Sequence, residues 1–315
     1  MKRKGLFLAA VAALSTTLMA QPSGWPPSAD HKTMPIWPGL APGAPTNLPP
    51  ERNLTTPSDR LIAGRPAVRI GNVVTPTITL YQARESGPRP AVLVFPGGGY
   101  RYTAIDAEGT EVCDWLTHAG VTCVLLKYRT PDGGPYPKSA AALEDAQRAV
   151  RLLRQHAAEW TVDPNRIGVL GFSAGGHLSA AISNLYDKQL YDPVDDADKL
   201  SCRPDFSVVV YPGFLALADQ NFAPNPDIHP TPNTPPTFIV QAEDDPVHVE
   251  NAVVYFLQLK NAKVPAELHI YAEGGHGYGL RRTELPVTGW PELVEKWLHT
   301  IKVLPPQSAT VSPKQ

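Results

Sequence analysis

Short, continuously apolar runs alternate with amphipathic stretches along most of the chain. Apolar runs of strand length occupy residues 91–95, 121–128, 167–170, 206–211, 237–242 and 266–271. The stretches between them have the three- and four-residue apolar spacing typical of helices, at 108–118, 139–160, 177–183, 250–261 and 291–301. Strands that are apolar throughout are buried on both faces. The pattern therefore predicts an α/β fold with a mostly parallel central sheet and helices on both of its faces.

The segment 139–160 shows the helical pattern clearly. Its apolar residues form one stripe along the helix, made of Leu143, Ala146, Ala149, Val150, Leu153, Ala157 and Trp160. Charged side chains, among them Glu144, Arg148 and Arg151, lie mainly off this stripe. We expect the stripe to cover the sheet and Asp163-Pro164 to lead into the next strand.

Other parts of the chain depart from the alternation. Residues 67–83 are rich in β-branched side chains on either side of Gly71-Asn72, which predicts an antiparallel hairpin at the N-terminal edge of the sheet. Two irregular segments, 186–204 and 213–236, follow predicted strand or strand-helix units. They are expected near the carboxyl ends of the strands, either shaping a substrate cleft or forming solvated loops. Neither is long or apolar enough for a lid.

The two ends of the chain differ in composition from the middle. Residues 1–20 combine a basic start with an apolar stretch and a final Ala20, as in a cleavable signal peptide, so a secreted or periplasmic location is expected. Residues 21–60 form a Pro-rich arm, in which the prolines disfavour helix and central strand. One globular domain is predicted over 61–304, followed by a disordered tail at 305–315. No membrane association is expected once the signal peptide has been removed.

Charge and cysteine content exclude several classes of function. The formal net charge is −2 and there is no long basic run, so nucleic acid is not an expected partner. The histidines and cysteines do not have metal-ligand spacing, and neither a metal nor an organic cofactor is expected. Cys113 and Cys123 could form one bridge, but the sequence does not give their separation. All three cysteines are therefore interpreted as small buried hydrophobic residues.

One motif in the chain carries a candidate nucleophile. The run RIGVLGFSAGGHL at 166–178 places Ser173 in a G-x-S-x-G pattern between a predicted strand and a predicted helix. A serine at the tip of such a turn is held out of the sheet, where a base can reach its hydroxyl. Ser173 is therefore a candidate nucleophile, provided that a base and an acid follow in the chain.

Candidates for the base and the acid lie after the last two strands. His276 is in a glycine-rich loop, GGHGYG, that follows the strand 266–271, and we expect it to be the base. His177 is tied to the helix after Ser173, where a packing or capping role fits better. The strand 237–242 ends in three carboxylates, of which we select Asp245 to orient His276, with Asp244 as the alternative.

A serine nucleophile also needs N–H groups that stabilise the developing oxyanion. The strand 91–95 runs into Pro96-Gly97-Gly98-Gly99-Tyr100, where backbone amides are free of side-chain interference. Gly98 or Gly99, together with Ala174, is expected to supply these donors. A phosphate-binding turn is the alternative for this run, but neither a G-x-G-x-x-G pattern nor a Walker lysine accompanies it.

These motifs together resemble α/β-hydrolases of the acetyl esterase and carbohydrate esterase type, including acetylxylan and feruloyl esterase-like proteins. The resemblance covers 89–298 and includes PGGGY at 96–100, EG at 108–109, AEDDPV at 242–247 and GGHGYGLR at 274–281. It implies a catalytic domain with Ser173 as nucleophile, Asp245 as acid and His276 as base. It also implies that Gly98, Gly99 and Ala174 are the oxyanion donors. Relatives that resemble hormone-sensitive lipase have His where this chain has Pro96, which leaves the choice between Gly98 and Gly99 open.

The expected function is therefore that of a secreted serine esterase that removes short acyl groups, acetyl first, from carbohydrate esters such as acetylated xylan. The expected partner is a small acyl ester or an acetylated polysaccharide, and the sequence leaves the oligomeric state open. Two alternatives are a peptidase of the prolyl-oligopeptidase type and a carbohydrate-binding protein that has the fold without catalysis. The chain is too short for the large extra domain of the first class, and the complete Ser, Asp and His set argues against the second.

Overall fold

The computed structural model describes residue 25 and residues 29–306. The predicted signal peptide, 1–20, lies outside the described residues, as does the predicted tail apart from Pro305 and Pro306. No helix in the described ranges combines the length and the apolar character needed to cross a membrane.

An eight-stranded sheet forms the centre of the molecule. In chain order its strands are β1 (Thr33–Pro35), β2 (Thr77–Tyr81), β3 (Arg89–Phe95), β4 (Thr122–Lys127), β5 (Val162–Phe172), β6 (Phe206–Val210), β7 (Thr237–Ala242) and β8 (Ala266–Tyr271). Their spatial order is β1-β2-β4-β3-β5-β6-β7-β8. Strand β2 pairs antiparallel with β1 on one side and with β4 on the other. Every other neighbouring pair in this sheet is parallel. The predicted α/β fold with an antiparallel N-terminal edge is confirmed.

Helices cover both faces of the sheet and enclose two hydrophobic clusters. They are α1 (Glu111–His118), α2 (Ala141–Gln155), α3 (Ala174–Leu185), α4 (Glu250–Asn261) and α5 (Trp290–Thr300). The helices α2, α3 and α4 pack on one face, and α1 and α5 pack on the other. Side chains alternate along β3, where Leu93 and Phe95 join the first cluster while Val92 and Val94 join the second. The sheet is thus buried on both faces, as its continuously apolar strands predicted.

The predicted hairpin at 67–83 is wrong. Residues Arg69–Gly71 belong to a separate three-stranded sheet with Arg52–Asn53 and Thr103–Ala104. Thr77–Tyr81 instead pairs with β4 and β1 of the main sheet. The two strands pair with segments distant in sequence and not with each other. The turn at Gly71-Asn72 therefore leads from one sheet to the other and does not form a hairpin.

The Pro-rich arm is extended but also forms part of the core. Its residues Thr33–Pro35 are the edge strand β1, and Ile36 and Trp37 lie in the hydrophobic cluster. The Trp37 indole N–H donates to Asp145 of α2 at 2.8 Å. Prolines are compatible with an edge strand because one side of it needs no ladder hydrogen bonds.

Two of the three cysteines form a disulfide, which corrects the expectation that all three are free thiols. Cys113 on α1 and Cys123 on β4 are bonded, with their Cα atoms 5.1 Å apart. Cys202 is a buried free thiol. The bridge fixes α1 to the strand that follows it, and it was left open because spacing alone does not give a Cα separation.

Arg148 is a second departure from the expected pattern. It lies on α2, where it was placed off the buried stripe, but it is only 2% exposed. Its guanidinium pairs with Asp195 and lies 3.1 Å from Asp198, both in the irregular segment 186–204. A buried guanidinium is tolerated when carboxylates neutralise it. The acidic segment is therefore anchored to α2.

Candidate active site

Ser173 occupies the turn between β5 and α3 in a backbone conformation that few non-glycine residues adopt. Its φ is 54° and its ψ is −115°. The flanking glycines permit the turn because a Cβ on Gly171 would lie 1.9 Å from the Gly175 carbonyl oxygen. A Cβ on Gly175 would lie 2.0 Å from the carbonyl oxygen of Phe95. The G-x-S-x-G pattern is thus required by close backbone packing at both glycines.

The three residues selected for nucleophile, base and acid lie in one chain of hydrogen bonds. His276 Nε2 is 2.8 Å from Ser173 Oγ. His276 Nδ1 is 2.9 Å from Asp245 Oδ2. The Asp245 side chain is fully buried and also accepts from the Val247 amide and from Gln241. A carboxylate held in this way fixes the orientation of the imidazole.

Adjacent carboxylates at the end of β7 make different contacts. Asp245 reaches His276, whereas Asp244 accepts from the backbone N–H of Gly275 at 2.7 Å. Glu243 is exposed. The structure therefore places Asp245 beside His276, and Asp244 holds the loop that carries His276.

Three backbone N–H groups at the glycine turn and next to Ser173 have no acceptor among the described residues. They are the amides of Gly98, Gly99 and Ala174. Gly97 is not available, because its N–H donates to Glu108 Oε2 at 2.7 Å. Gly98 and Gly99 have φ values of 135° and 61°, which only glycine adopts easily. All three predicted oxyanion donors are thus left free for a ligand.

Comparison with known proteins places this arrangement in a family. A solved structure of an acetyl ester-xyloside bifunctional hydrolase from Caldicellulosiruptor lactoaceticus is similar, with 33% identity and a TM-score of 0.68, over 90% of this chain and 98% of that chain. The model of the BD-FAE family matches residues 78–219. The chain belongs to the same family of α/β-hydrolases as this acetyl ester-xyloside hydrolase. The resemblance to esterases of this fold, drawn from the motifs, is confirmed.

The curated relatives are longer than this chain. An acetylxylan esterase from Xylanibacter ruminicola is 31% identical over 60% of this chain. Endo-1,4-beta-xylanase B from Butyrivibrio fibrisolvens is 30% identical over 68% of this chain. The chain spans only 41% of the first relative and 36% of the second.

Glu108 lines the cavity of Ser173 and was not among the predicted site residues. Its buried carboxylate accepts from the Gly97 amide and, at 2.8 Å, from the Tyr211 hydroxyl. Tyr211 Oη in turn accepts from the Gly279 amide at 3.1 Å. Burial raises the pKa of Glu108, and the hydrogen bonds from Tyr211 and Gly97 oppose the rise. One carboxylate therefore links the glycine turn to the loop of His276.

The local sequence carries no clear signal for the role of Glu108. It begins the amphipathic stretch 108–118, and Asp106, Thr110 and Glu111 lie within three residues of it. Several acidic residues in one short stretch do not show which of them becomes buried and paired. The sequence contains the EG motif but does not show which donors the carboxylate meets.

The glycine turn is supported from below by aromatic side chains. Tyr128 Oη donates to the Pro96 carbonyl oxygen at 2.6 Å, and Tyr100 Oη lies 2.7 Å from His177 Nδ1. His177 is fully buried, and desolvation lowers its pKa to about 3. It is therefore a neutral packing residue at the base of the turn.

A cavity of about 430 Å³ opens above the hydrogen-bonded chain. Its wall includes Ser173, His276, Gly98, Gly99 and Phe214. Gly213 and Phe214 come from the irregular segment 213–236, so this segment shapes the cleft. Segment 186–204 contributes no residue to this wall. Among the described residues, there is also no cluster of three or more His, Cys, Asp or Glu side chains that could hold a metal ion.

Proposed function

We propose that the protein is a secreted serine carboxylic-ester hydrolase that removes short acyl groups, acetyl first, from carbohydrate esters such as acetylated xylan. The observation that carries the proposal is the hydrogen-bonded chain from Ser173 Oγ through His276 to Asp245, beside three free amides. Such a chain activates a hydroxyl that is otherwise a weak nucleophile.

The proposed reaction has two halves. In the first, Ser173 Oγ attacks the acyl carbon while His276 Nε2 takes its proton, and the amides of Ala174 and of Gly98 or Gly99 bind the oxyanion. His276 then gives the proton to the leaving alkoxide, and the acyl group stays on Ser173. In the second half, His276 takes a proton from water, and the resulting hydroxide attacks the acyl-serine. The bond from the acyl carbon to Ser173 Oγ then breaks, His276 returns the proton to Ser173 Oγ, and the acid is released. Asp245 stabilises the imidazolium in both halves.

The substrate class is supported by the cavity and by the relatives. A space of about 430 Å³ that is open to solvent accommodates a short acyl group and a sugar. Similar proteins include an acetylxylan esterase, an endo-1,4-beta-xylanase and an acetyl ester-xyloside bifunctional hydrolase. Acetylated plant polysaccharide is therefore the substrate class we propose.

Export is part of the same proposal. The basic and apolar composition of residues 1–20 is that of a signal peptide. The Cys113–Cys123 bridge supports export independently, because disulfides persist in oxidising compartments.

Replacing the proposed nucleophile tests the mechanism. Ser173→Ala should lower kcat for a chromogenic acetyl ester by about 10³-fold or more, since no other hydroxyl is aligned with His276. The far-UV circular dichroism spectrum should be unchanged. Ser86→Ala, at an exposed position away from the cavity, is the matched control and should retain full activity. Retention of most activity by Ser173→Ala would sink the assignment.

Substrate panels separate the proposal from its alternatives. Acetate and ferulate released from acetylated and feruloylated polysaccharides, measured together, decide the acyl preference. Faster cleavage of a dipeptide amide than of an acetyl ester would favour a peptidase. Failure of a fluorophosphonate to label Ser173 would favour a non-catalytic binding protein.

A further inference from the structure

Three arginine side chains line the cavity of Ser173, although the chain as a whole has a formal net charge of −2. They are Arg60, Arg69 and Arg101. Charge of one sign around a cleft raises the local concentration of ligands of the opposite sign. The question is which of these charges the protein itself neutralises.

Only Arg69 has a carboxylate partner. Its Nη1 lies 2.6 Å from Asp59 Oδ1, and its guanidinium lies 5.2 Å from the centre of the Tyr102 ring. Arg60 donates from Nη2 to the carbonyl oxygen of His276 and pairs with no acid in the described part of the chain. Arg101 is exposed, and its guanidinium has no protein partner within the same residues.

The cavity contains one acidic side chain that could offset these charges. Glu108 lines it, but this carboxylate is buried and its two oxygens already accept from Gly97 and Tyr211. Two guanidinium groups therefore remain without a counter-charge around Ser173.

The two guanidinium groups without an acidic partner contact two different loops around the cavity. Arg60 contacts the loop of His276 through its bond to that residue's carbonyl oxygen. Arg101 Nε lies 3.7 Å from the position that a Cβ on Gly99 would take, next to one of the free amides. Both line the same cavity as Ser173. The planar guanidinium fork suits the two oxygens of a carboxylate.

We infer that the cavity binds esters that carry a carboxylate, such as acyl esters of oligosaccharides that contain a uronic acid. This inference rests on the proposed function and narrows its substrate class. Arg60 and Arg101 supply the charge that receives the carboxylate, and Ser173 acts on the neighbouring ester. The carboxylate can belong to the alcohol part or to the acyl part, and the two sources are separable with small substrates.

The experiment compares matched anionic and neutral esters. For the alcohol side, the pair is 4-acetoxybenzoate and its methyl ester. For the acyl side, the pair is a nitrophenyl hemisuccinate and the corresponding methyl succinate diester. The quantity measured is the ratio of kcat/KM for the anionic ester to that for the neutral one, in the wild type and in each variant. Dividing the variant ratio by the wild-type ratio cancels intrinsic reactivity.

Arg101→Gln should lower this ratio about fivefold in one of the two pairs, and Arg101→Glu should lower it further, because an exposed ion pair contributes up to about a factor of five. Arg60→Gln with Arg101→Gln should lower it by about tenfold or more. Adding about 0.5 M NaCl should shrink the wild-type ratio toward that of the variants. Arg84→Gln, an exposed arginine outside the cavity, removes the same charge and should leave the ratio unchanged.

The outcomes divide cleanly. A fall in the alcohol pair or in the acyl pair supports the inference and names the side that carries the carboxylate. An equal loss on anionic and neutral esters, or no change in either pair, overturns it, since the arginines would then only support the loops. If the wild type cleaves none of the four esters, the proposed function fails first.

Discussion

At the scale of single residues, the site depends on carboxylates that differ in what they accept. Asp245 accepts from His276, and Asp244 accepts from the Gly275 amide in the loop of His276. Glu108 accepts from Gly97 and Tyr211. All three side chains end in a carboxylate. Their positions relative to N–H and O–H donors decide their roles.

Glu108 is the carboxylate whose replacement is most informative. A carboxamide has one acceptor oxygen where the carboxylate has two, so Glu108→Gln cannot serve both the Gly97 amide and the Tyr211 hydroxyl. We expect kcat for an acetyl ester to fall about tenfold, because the glycine turn and the His276 loop lose their shared anchor. The unfolding midpoint should change little, since the cost of burying a charge is removed together with one hydrogen bond.

Steady-state kinetics and denaturant unfolding check this expectation together. Glu284→Gln, at an exposed position outside the cavity, is the control and should match the wild type in both measurements. A variant at Glu108 with wild-type kcat would show that the link between the two loops is not needed for catalysis.

The sequence indicated Ser173, His276 and Asp245, which the structure brings into one hydrogen-bonded chain, but it did not indicate the contacts of Glu108 that hold the surrounding loops. The G-x-S-x-G turn, the glycine-flanked His276 and the strand-end Asp245 are each marked by local residue spacing. The partners of Glu108 are not, because Gly97, Tyr211 and Gly279 come from three separate loops that only the folded sheet brings together.

At the scale of elements, periodicity predicted helices and central strands well. The strand 237–242 and the helix 250–261 were expected with the bounds that the structure has. Elements that pair with segments distant in sequence were harder to predict, as the wrongly predicted hairpin at 67–83 shows. The bridge between α1 and β4 belongs to the same group, since it depends on how the helix packs against the sheet.

Removing this bridge should lower the stability of the folded protein. Cys113→Ala with Cys123→Ala should reduce the free energy of unfolding by about 2–3 kcal/mol, because the unfolded chain loses a constraint over a short loop. Thermal unfolding with and without dithiothreitol measures the effect. Reductant should lower the Tm of the wild type and leave that of the double variant unchanged. A wild-type Tm that does not respond to complete reduction would contradict the expectation.

At the scale of the whole molecule, the arm is part of the folded unit. Residues 29–60 had the composition of an extended lead-in, yet they supply β1 and the buried Trp37. The arm docks through an indole hydrogen bond to Asp145, with the guanidinium groups of Arg129 and Arg148 beside the ring. Proline content predicted an arm without helix or central strand, and it could not predict this docking.

Trp37→Ala tests how far stability depends on the docked arm. We expect a loss of about 3–5 kcal/mol in the free energy of unfolding, from the cavity left by the indole and from a buried Asp145 that loses a donor. Urea unfolding followed by circular dichroism measures it. Leu40→Ala is the control, since Leu40 lies on the same arm but is 82% exposed, and it should cost less than about 0.5 kcal/mol. Equal effects of the two substitutions would mean that the arm contributes little.

The order of strands has a consequence for how the site can be lost. Ser173 follows β5, which is in the interior of the sheet and has neighbours on both sides, whereas His276 follows β8, the last strand, whose residues are only partly buried. Backbone amides exchange with solvent most readily where few buried contacts hold a segment. Fraying of β8 is therefore expected to loosen the loop of the proposed base, His276, before Ser173 is displaced. On this view hydrolysis is lost on heating before the core unfolds, and it returns on cooling as long as β5 remains paired.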